Sequence, residues 1–150
     1  MISNNTASIT AGRFCTFTVD HFFFGVAVDE VQEVLRNQIM TAVPLARVEV
    51  RGLINLRGQI VTAIDLRRRL HLPDTREGES SMNVLIKTPE GAVSLVVDRI
   101  EDVLDVAANS IEAPPETLRG EVREFITGAS KLENRLLLLL DTEKVIELQS

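Results

Sequence analysis

Few side chains in this 150-residue sequence have types and spacings that could do chemistry. Neither histidine, His21 before Phe22-Phe23-Phe24 nor His71 before Leu72-Pro73, has a metal-ligating residue at useful spacing. With one cysteine, Cys15, no zinc-binding set forms and no internal disulfide closes. Cys15 alternates with Phe14 and Thr16, so it reads as a buried or interface thiol and not as a nucleophile. Asp29, Asp65, Asp98 and Asp141 each follow an apolar run, where turn and cap duty explains them better than acid–base catalysis. No phosphate-cradling glycine loop, Gly-x-Ser-x-Gly elbow or paired-histidine helix motif occurs. The expectation is therefore no catalytic residue, no metal site, no cofactor and no enzyme activity. What is left is Arg57-Gly58, a guanidinium at the point where two apolar runs meet. A fork of donors held at the tip of a tight turn suits a carboxylate. The plainer alternative is a solvated turn arginine.

The elements that would position Arg57 are legible. Gly58 can take positive φ where the chain reverses, so Leu53 to Leu56 and Gln59 to Ile64 read as a hairpin. Upstream, Phe14 to Val19 alternates apolar and polar residues and turns at Asp20-His21, and Phe22 to Val28 returns. The three phenylalanines read as core and hairpin packing, with at least one ring left exposed or at an interface. A helical turn or bent strand fits Glu30 to Arg36, and a short strand fits Ile39 to Val43 before Pro44. Pro73 to Ser81 is the clearest loop, and Val145 to Leu148 reads as a closing strand or short helix. Residues 1–12 read as a flexible leader without the pattern of a signal peptide.

Composition narrows the classes. Apolar content of 45% is ample for a packed core, and a formal charge of −6 offers no footprint for nucleic acid. The longest apolar run, Leu136 to Leu140, is far short of the roughly 20 residues of a membrane-spanning helix. A cytoplasmic location without direct membrane insertion is expected.

Beyond the loop at 73–81 the pattern starts again. Val26 to Leu35 lines up with Leu95 to Leu104, an offset of 69, and Phe14 to Val19 meets Asn83 to Thr88 at the same offset. Gly52, Leu56, Ile60 to Ile64 and Asp65 fall on Gly128, Leu132, Leu136 to Leu140 and Asp141, an offset of 76. Gly58 falls on Asn134, the next residue most tolerant of positive φ, and Arg57 falls on Glu133. The seven extra residues belong near Glu112 to Gly120. Two copies of a five-stranded antiparallel motif follow, each too small to be stable alone and so packed on the other. A groove between them is where a partner would lie. Since the second copy has Glu133 in place of Arg57, the arginine tip is expected in one copy only.

From Phe14 to Leu148 the chain resembles the CheW family of adaptor proteins. The resemblance rests on Gly52-Leu-Ile-Asn-Leu-Arg-Gly-Gln-Ile-Val61, Ile64-Asp-Leu-Arg67 with Leu70-His-Leu-Pro73, Val96 to Leu104, and Ile111-Glu-Ala-Pro-Pro-Glu116. It implies an all-β fold of two tandem five-stranded SH3-like β-barrels sharing an apolar core, with short helical segments. Barrel one would span about 14–75 and barrel two about 82–148 within a domain at 13–148, with strand exchange at the ends allowed for. It further implies a non-catalytic coupling protein of bacterial chemosensory arrays. Such a protein bridges the cytoplasmic tips of chemoreceptor helical hairpins to the regulatory domain of the CheA histidine kinase. The family also implies rings of CheW-like copies and recruitment to membrane-associated receptor arrays. Receptor-contact positions of the family fall on Val28, Val31, Glu33, Arg57 and Gly58, with Arg57 paired to Glu33. Kinase-contact positions fall on Glu112, Pro115, Glu116 and Thr117. The chain departs from the family at Thr62, at Ala46-Arg47, at Ser94 and at Thr117, where proline, proline, glycine and an apolar residue are usual. A paralogue serving pilus-based or gliding motility, or less readily a small-ligand barrel, is the alternative.

Overall fold

A computed structural model describes residues 12–74, 81–118 and 120–148. Apart from Gly12, the expected leader lies outside the described residues, as do residues 75–80 of the expected loop. The strands are β1 (Gly12–Val19), β2 (Phe22–Ala27), β3 (Val31–Leu35), β4 (Val50–Leu56), β5 (Gln59–Asp65), β6 (Met82–Thr88), β7 (Gly91–Val97), β8 (Arg99–Val106), β9 (Ile111–Glu112), β10 (Ile126–Lys131) and β11 (Leu136–Leu140). Two short helices, α1 (Leu66–Arg69) and α2 (Thr142–Ile146), follow β5 and β11. The strands form two sheets, ordered β8-β1-β2-β11-β10-β9 and β3-β6-β7-β5-β4. The fold is mostly β, as expected, in two sheets that fit two SH3-like barrels. The two-residue β9 adds a sixth strand to the first sheet.

The sheets are not divided where the 73–81 loop divides the sequence. Hairpin β1–β2 pairs with β8 and, in parallel, with β11, so it lies among the strands of the second copy. Hairpin β6–β7 pairs with β3 and, in parallel, with β5, among the strands of the first. The two copies have exchanged their opening hairpins, and the exchange is symmetric. Equivalent bulges fall between Val50 and Gly52 and between Ile126 and Gly128. At Gly52 a Cβ would lie 2.8 Å from the Thr41 carbonyl oxygen, and at Gly128 3.1 Å from that of Glu112. A crossing segment presses on both bulges, and only glycine leaves it room.

Strands at the parallel joints are covered on both faces, so they read as continuous apolar runs instead of alternating. In β11, Leu137 and Leu139 point into one barrel with Phe14, Phe23 and Val106, while Leu138 and Leu140 point into the core between the sheets. In β5, Val61 and Ala63 fill the other barrel with Ile54, Leu56, Leu85 and Val96. The shared core holds Phe17, Phe24, Val26, Leu66, Leu70, Ile86, Leu95, Phe125 and Val145. Of the three adjacent phenylalanines, Phe23 lies inside the barrel, Phe24 is fully buried between the sheets, and Phe22 is half-buried at the rim of that shared core.

Of three consecutive arginines on α1, Arg67 and Arg69 stitch the halves together. Arg67 donates through Nε and Nη2 to both oxygens of Asp98 (3.0 and 2.6 Å), and through Nη1 to Asp20 (3.3 Å) and the Pro73 carbonyl (2.8 Å). Arg68 reaches Asp74 (3.2 Å) and the Val48 carbonyl (3.2 Å). Arg69 gathers the carbonyls of Lys144, Val145 and Glu147 at the end of α2, at 2.7 to 3.0 Å. Asp65 and Asp141 cap α1 and α2 by accepting from the backbone N–H three residues on (3.3 and 3.2 Å), the duty expected of them. Asp98, the repeat-mate of Asp29, instead receives Arg67 and the Asp20 N–H (2.7 Å), so its role is an ion pair between elements and not a cap.

Burial alone would raise the pKa of Asp20, but hydrogen bonds from the His21 side chain and backbone and the Arg67 charge hold it below the usual range. Glu49 is likewise pushed up by burial, yet its own N–H, Arg47 and the Arg69 charge bring it below the ordinary value. The strand expected at Ile39–Val43 does not form. Only Thr41 bridges to Leu53, while Ile39 is 94% exposed. Met40 alone packs onto the barrel core, and the turn at Val43–Ala46, with Leu45 at φ 65°, leads the chain away.

Candidate functional site

The β4–β5 hairpin turns in two residues, Arg57 at φ 52° and Gly58 at φ 89°. Positive φ at both positions matches the twist of a two-residue hairpin. It is a demanding conformation for arginine, which the glycine alone did not foretell. The Asn55 Oδ1 fixes the turn by accepting from the Gly58 N–H (3.1 Å). So held, Arg57 donates through Nη2 to Glu33 Oε2, the ion pair expected between these two residues. The arginine side chain is 67% exposed and that of Glu33 27%.

β3 and β4 stand at opposite ends of their sheet, so this pair joins the two ends over one barrel mouth. Glu33 shares its strand face with Leu35, which packs into the barrel below. Val31 is half-buried and packs against the shared core, and Val28 opens the 3₁₀ turn Val28–Glu30 where the chain crosses from one sheet to the other. That turn is anchored by Glu30, which accepts from the Thr142 hydroxyl. Val34, on the opposite face of β3 from Glu33, is 38% exposed.

The expectation that only one copy presents an arginine tip needs correction. In the β10–β11 turn Arg135 pairs with Glu101 on β8 (3.7 Å), joining that sheet's hairpin tip to its end strand. Its guanidinium also lies 3.6 Å from the Phe23 ring centroid. The arginine stands two places further along the turn than Arg57 does in its own, and again reaches an acid on the sheet's end strand. Nor does Asn134 take positive φ, unlike Gly58. The Leu132 N–H donates to the Arg135 carbonyl (2.9 Å), closing this turn without it. A cavity of about 220 Å³ lies beneath, lined by Thr16, Phe23, Asp102 and Leu104 among others.

The second set of expected contacts lies on the other sheet. Glu112 is on β9 against Ala129, and Glu116 and Thr117 are exposed on the loop that follows. Pro115 is half-buried, and its carbonyl accepts from the Leu118 N–H (3.0 Å). Val28, Val31, Glu33, Arg57 and Gly58 are thus brought to one barrel mouth and the crossing beside it, and the other four to the far edge of the opposite sheet. Neither set lines the large groove of about 790 Å³ between β5, the β6–β7 turn and α2, whose walls include Ile60, Thr62, Pro89, Val93 and Ile146. Ile60, 63% exposed, is the signal sequence reasoning passed over, an apolar residue at an outward position of an alternating strand. Ser94, where glycine is usual in the resembling family, is fully buried and donates to Asn83 Oδ1 (2.9 Å), whose amide in turn donates to the Arg36 carbonyl (3.2 Å). Among the described residues no group of three or more His, Cys, Asp or Glu could hold a metal ion. No helix there is long and apolar enough to cross a membrane.

Comparison with known proteins agrees with this architecture. The CheW-like domain matches residues 13–150. The chain belongs to the CheW-like domain family. Within it, the chain is 32% identical over 146 residues to the chemotaxis protein CheW of Bacillus subtilis, covering 97% of this chain and 94% of that one. It is 31% identical over 141 residues to the chemotaxis protein CheW of Klebsiella aerogenes, covering 93% and 85%. The crystal structure of the scaffolding protein TtCheW from Thermoanaerobacter tengcongensis superposes with a TM-score of 0.82 at 24% identity, over 93% of this chain and 94% of that one. The match to that structure shows the same fold over nearly the whole chain.

Proposed function

We propose that this CheW-like chain is a non-catalytic adaptor. In this reading it couples the cytoplasmic helical tips of chemoreceptors to the regulatory domain of a CheA-type histidine kinase, in the cytoplasm at membrane-associated receptor arrays. The names of its relatives support a place in chemotaxis. The observation that carries the receptor half is the Arg57 tip. One guanidinium nitrogen is engaged by Glu33, while the side chain stays 67% exposed on a two-residue turn tied by the Gly58 N–H to Asn55 Oδ1. A donor fork so held can meet a carboxylate on a helix with little ordering cost. Val28 and Val31 supply the apolar flank on which the helix rests. Glu112 on β9 and the loop of Pro115, Glu116 and Thr117 after it, on the opposite sheet, contact the kinase, so both partners can bind at once. Each contact is modest, and an array gains strength by multiplying it.

The test is a pair of affinity captures, one with an immobilised receptor tip and one with the kinase regulatory domain. The wild type is retained by both, Arg57→Glu by the kinase domain only, and Glu116→Arg by the tip only. Retention of Arg57→Glu on the tip at the wild-type level would remove Arg57 from the receptor site.

A further inference from the structure

Arg123 leaves the 3₁₀ turn Glu121–Phe125 and folds back over the loop that precedes it. Its Nη1 donates to the carbonyls of Pro115 and Leu118 (3.2 Å for the latter), and its Nη2 to that of Pro114 (3.3 Å). One guanidinium thus holds three backbone acceptors within five residues. Leu118 anchors the C-terminal end of the loop against the shared core, and the stretch before it has few bonds of its own. Pro114 and Pro115 lack N–H groups, so this stretch cannot pair as a strand, and among the described residues its local backbone bond runs from Leu118 to Pro115 (3.0 Å). Arg123 is exposed, and water is the competing partner for every one of these bonds. The first copy shows that the fold does not need the clamp. At the offset of 76 the matching residue is Arg47, and there the guanidinium pairs with the Glu49 carboxylate (3.4 Å) instead of gathering a loop.

We propose that Arg123 is a positioning residue that sets the shape of the 112–118 loop for its partner, and so tunes affinity for the kinase regulatory domain. This rests on the reading of Glu112, Pro115, Glu116 and Thr117 as kinase contacts. Removing the guanidinium returns three carbonyls to solvent and lets the loop sample other shapes, and the cost of reordering it falls on binding. Because the clamp holds backbone, its loss leaves the barrels and the Arg57 turn as they are.

Calorimetric titration of the full chain with the kinase regulatory domain, and separately with a receptor tip, tests this. Arg123→Ala is expected to bind the kinase domain about tenfold more weakly, with tip affinity unchanged. Arg123→Lys restores part of the loss, since an ammonium can donate to these carbonyls without the fork. The Thr117 and Leu118 amide resonances move in Arg123→Ala, while those of the Arg57 turn do not. Wild-type kinase affinity in Arg123→Ala, alongside weakened binding by Glu116→Arg, overturns the positioning role and keeps the loop as the contact. Wild-type affinity in both variants overturns the loop reading as well. Equal losses for kinase and tip with a lowered unfolding midpoint mark a general structural role and also overturn the proposal.

Discussion

Arg57 and Glu33 meet at a rim where water competes for both, so their attraction contributes little to stability. An exposed pair of this kind is worth about 1 kcal/mol or less. A double-mutant cycle with Arg57→Ala and Glu33→Ala, followed by chemical unfolding, is expected to return a coupling no larger than that. The same substitutions should weaken receptor-tip binding by a much larger factor. A pair that closes a barrel and does nothing more would change stability and binding together. Two acids, the exposed Asp20 and the buried Glu49, contribute a pH dependence. The folded pKa values of Asp20 and Glu49 lie below their ordinary ones, so their contribution is complete above about pH 4, the unfolded value. It is lost as the pH falls through the lower folded values. Thermal unfolding between pH 6 and pH 3 should show the midpoint dropping on the acid side, and Asp20→Asn should flatten that drop.

At the scale of elements, α1 is a junction more than a helix. Arg67 is largely buried, with its charge shared between Asp98 and Asp20. Arg67→Met leaves two carboxylates facing each other without a cation and should cost on the order of 3 kcal/mol, read as a shift in the urea midpoint. The Gly52 bulge is a second sensitive point, because a Cβ would sit 2.8 Å from a backbone oxygen that has nowhere to go. Gly52→Ala should destabilise by about 1–3 kcal/mol by the same measurement. The sequence made the strands, the hairpin at Arg57 and the caps at Asp65 and Asp141 legible because each depends on neighbours a few residues away. In the sequence Arg67 stands out only as the end of the motif Ile64-Asp-Leu-Arg67. Its partners lie 31 and 47 residues off, and nothing local announces them. The Asn134 turn misled for the opposite reason: tolerance of positive φ permits a conformation without requiring it. Ile39 to Val43 has β-prone residues, but a strand also needs an edge to pair with, and the bulge at Gly52 leaves one bridge.

For the whole molecule, the duplication was visible in aligned residues, yet alignment says which strands are equivalent and not which sheet they join. The exchange of hairpins makes the halves interdependent, since β1 and β2 have no partners in their own half beyond each other. A chain cut between Asp74 and Ser81 should therefore yield two fragments that show no cooperative unfolding alone and recover it when refolded together. Circular dichroism on the separate and mixed fragments checks this. Under the proposed role, this interlocking places the Arg57 rim and the 112–118 loop on two sheets that share one core.

The most direct measurement of that coupling is co-elution on a sizing column of a receptor tip, the kinase regulatory domain and this chain. The account predicts one ternary peak that needs the chain and that loses only the tip when the chain carries Arg57→Glu. A tip and kinase that co-elute without the chain, or a chain that binds one partner only after releasing the other, would contradict it.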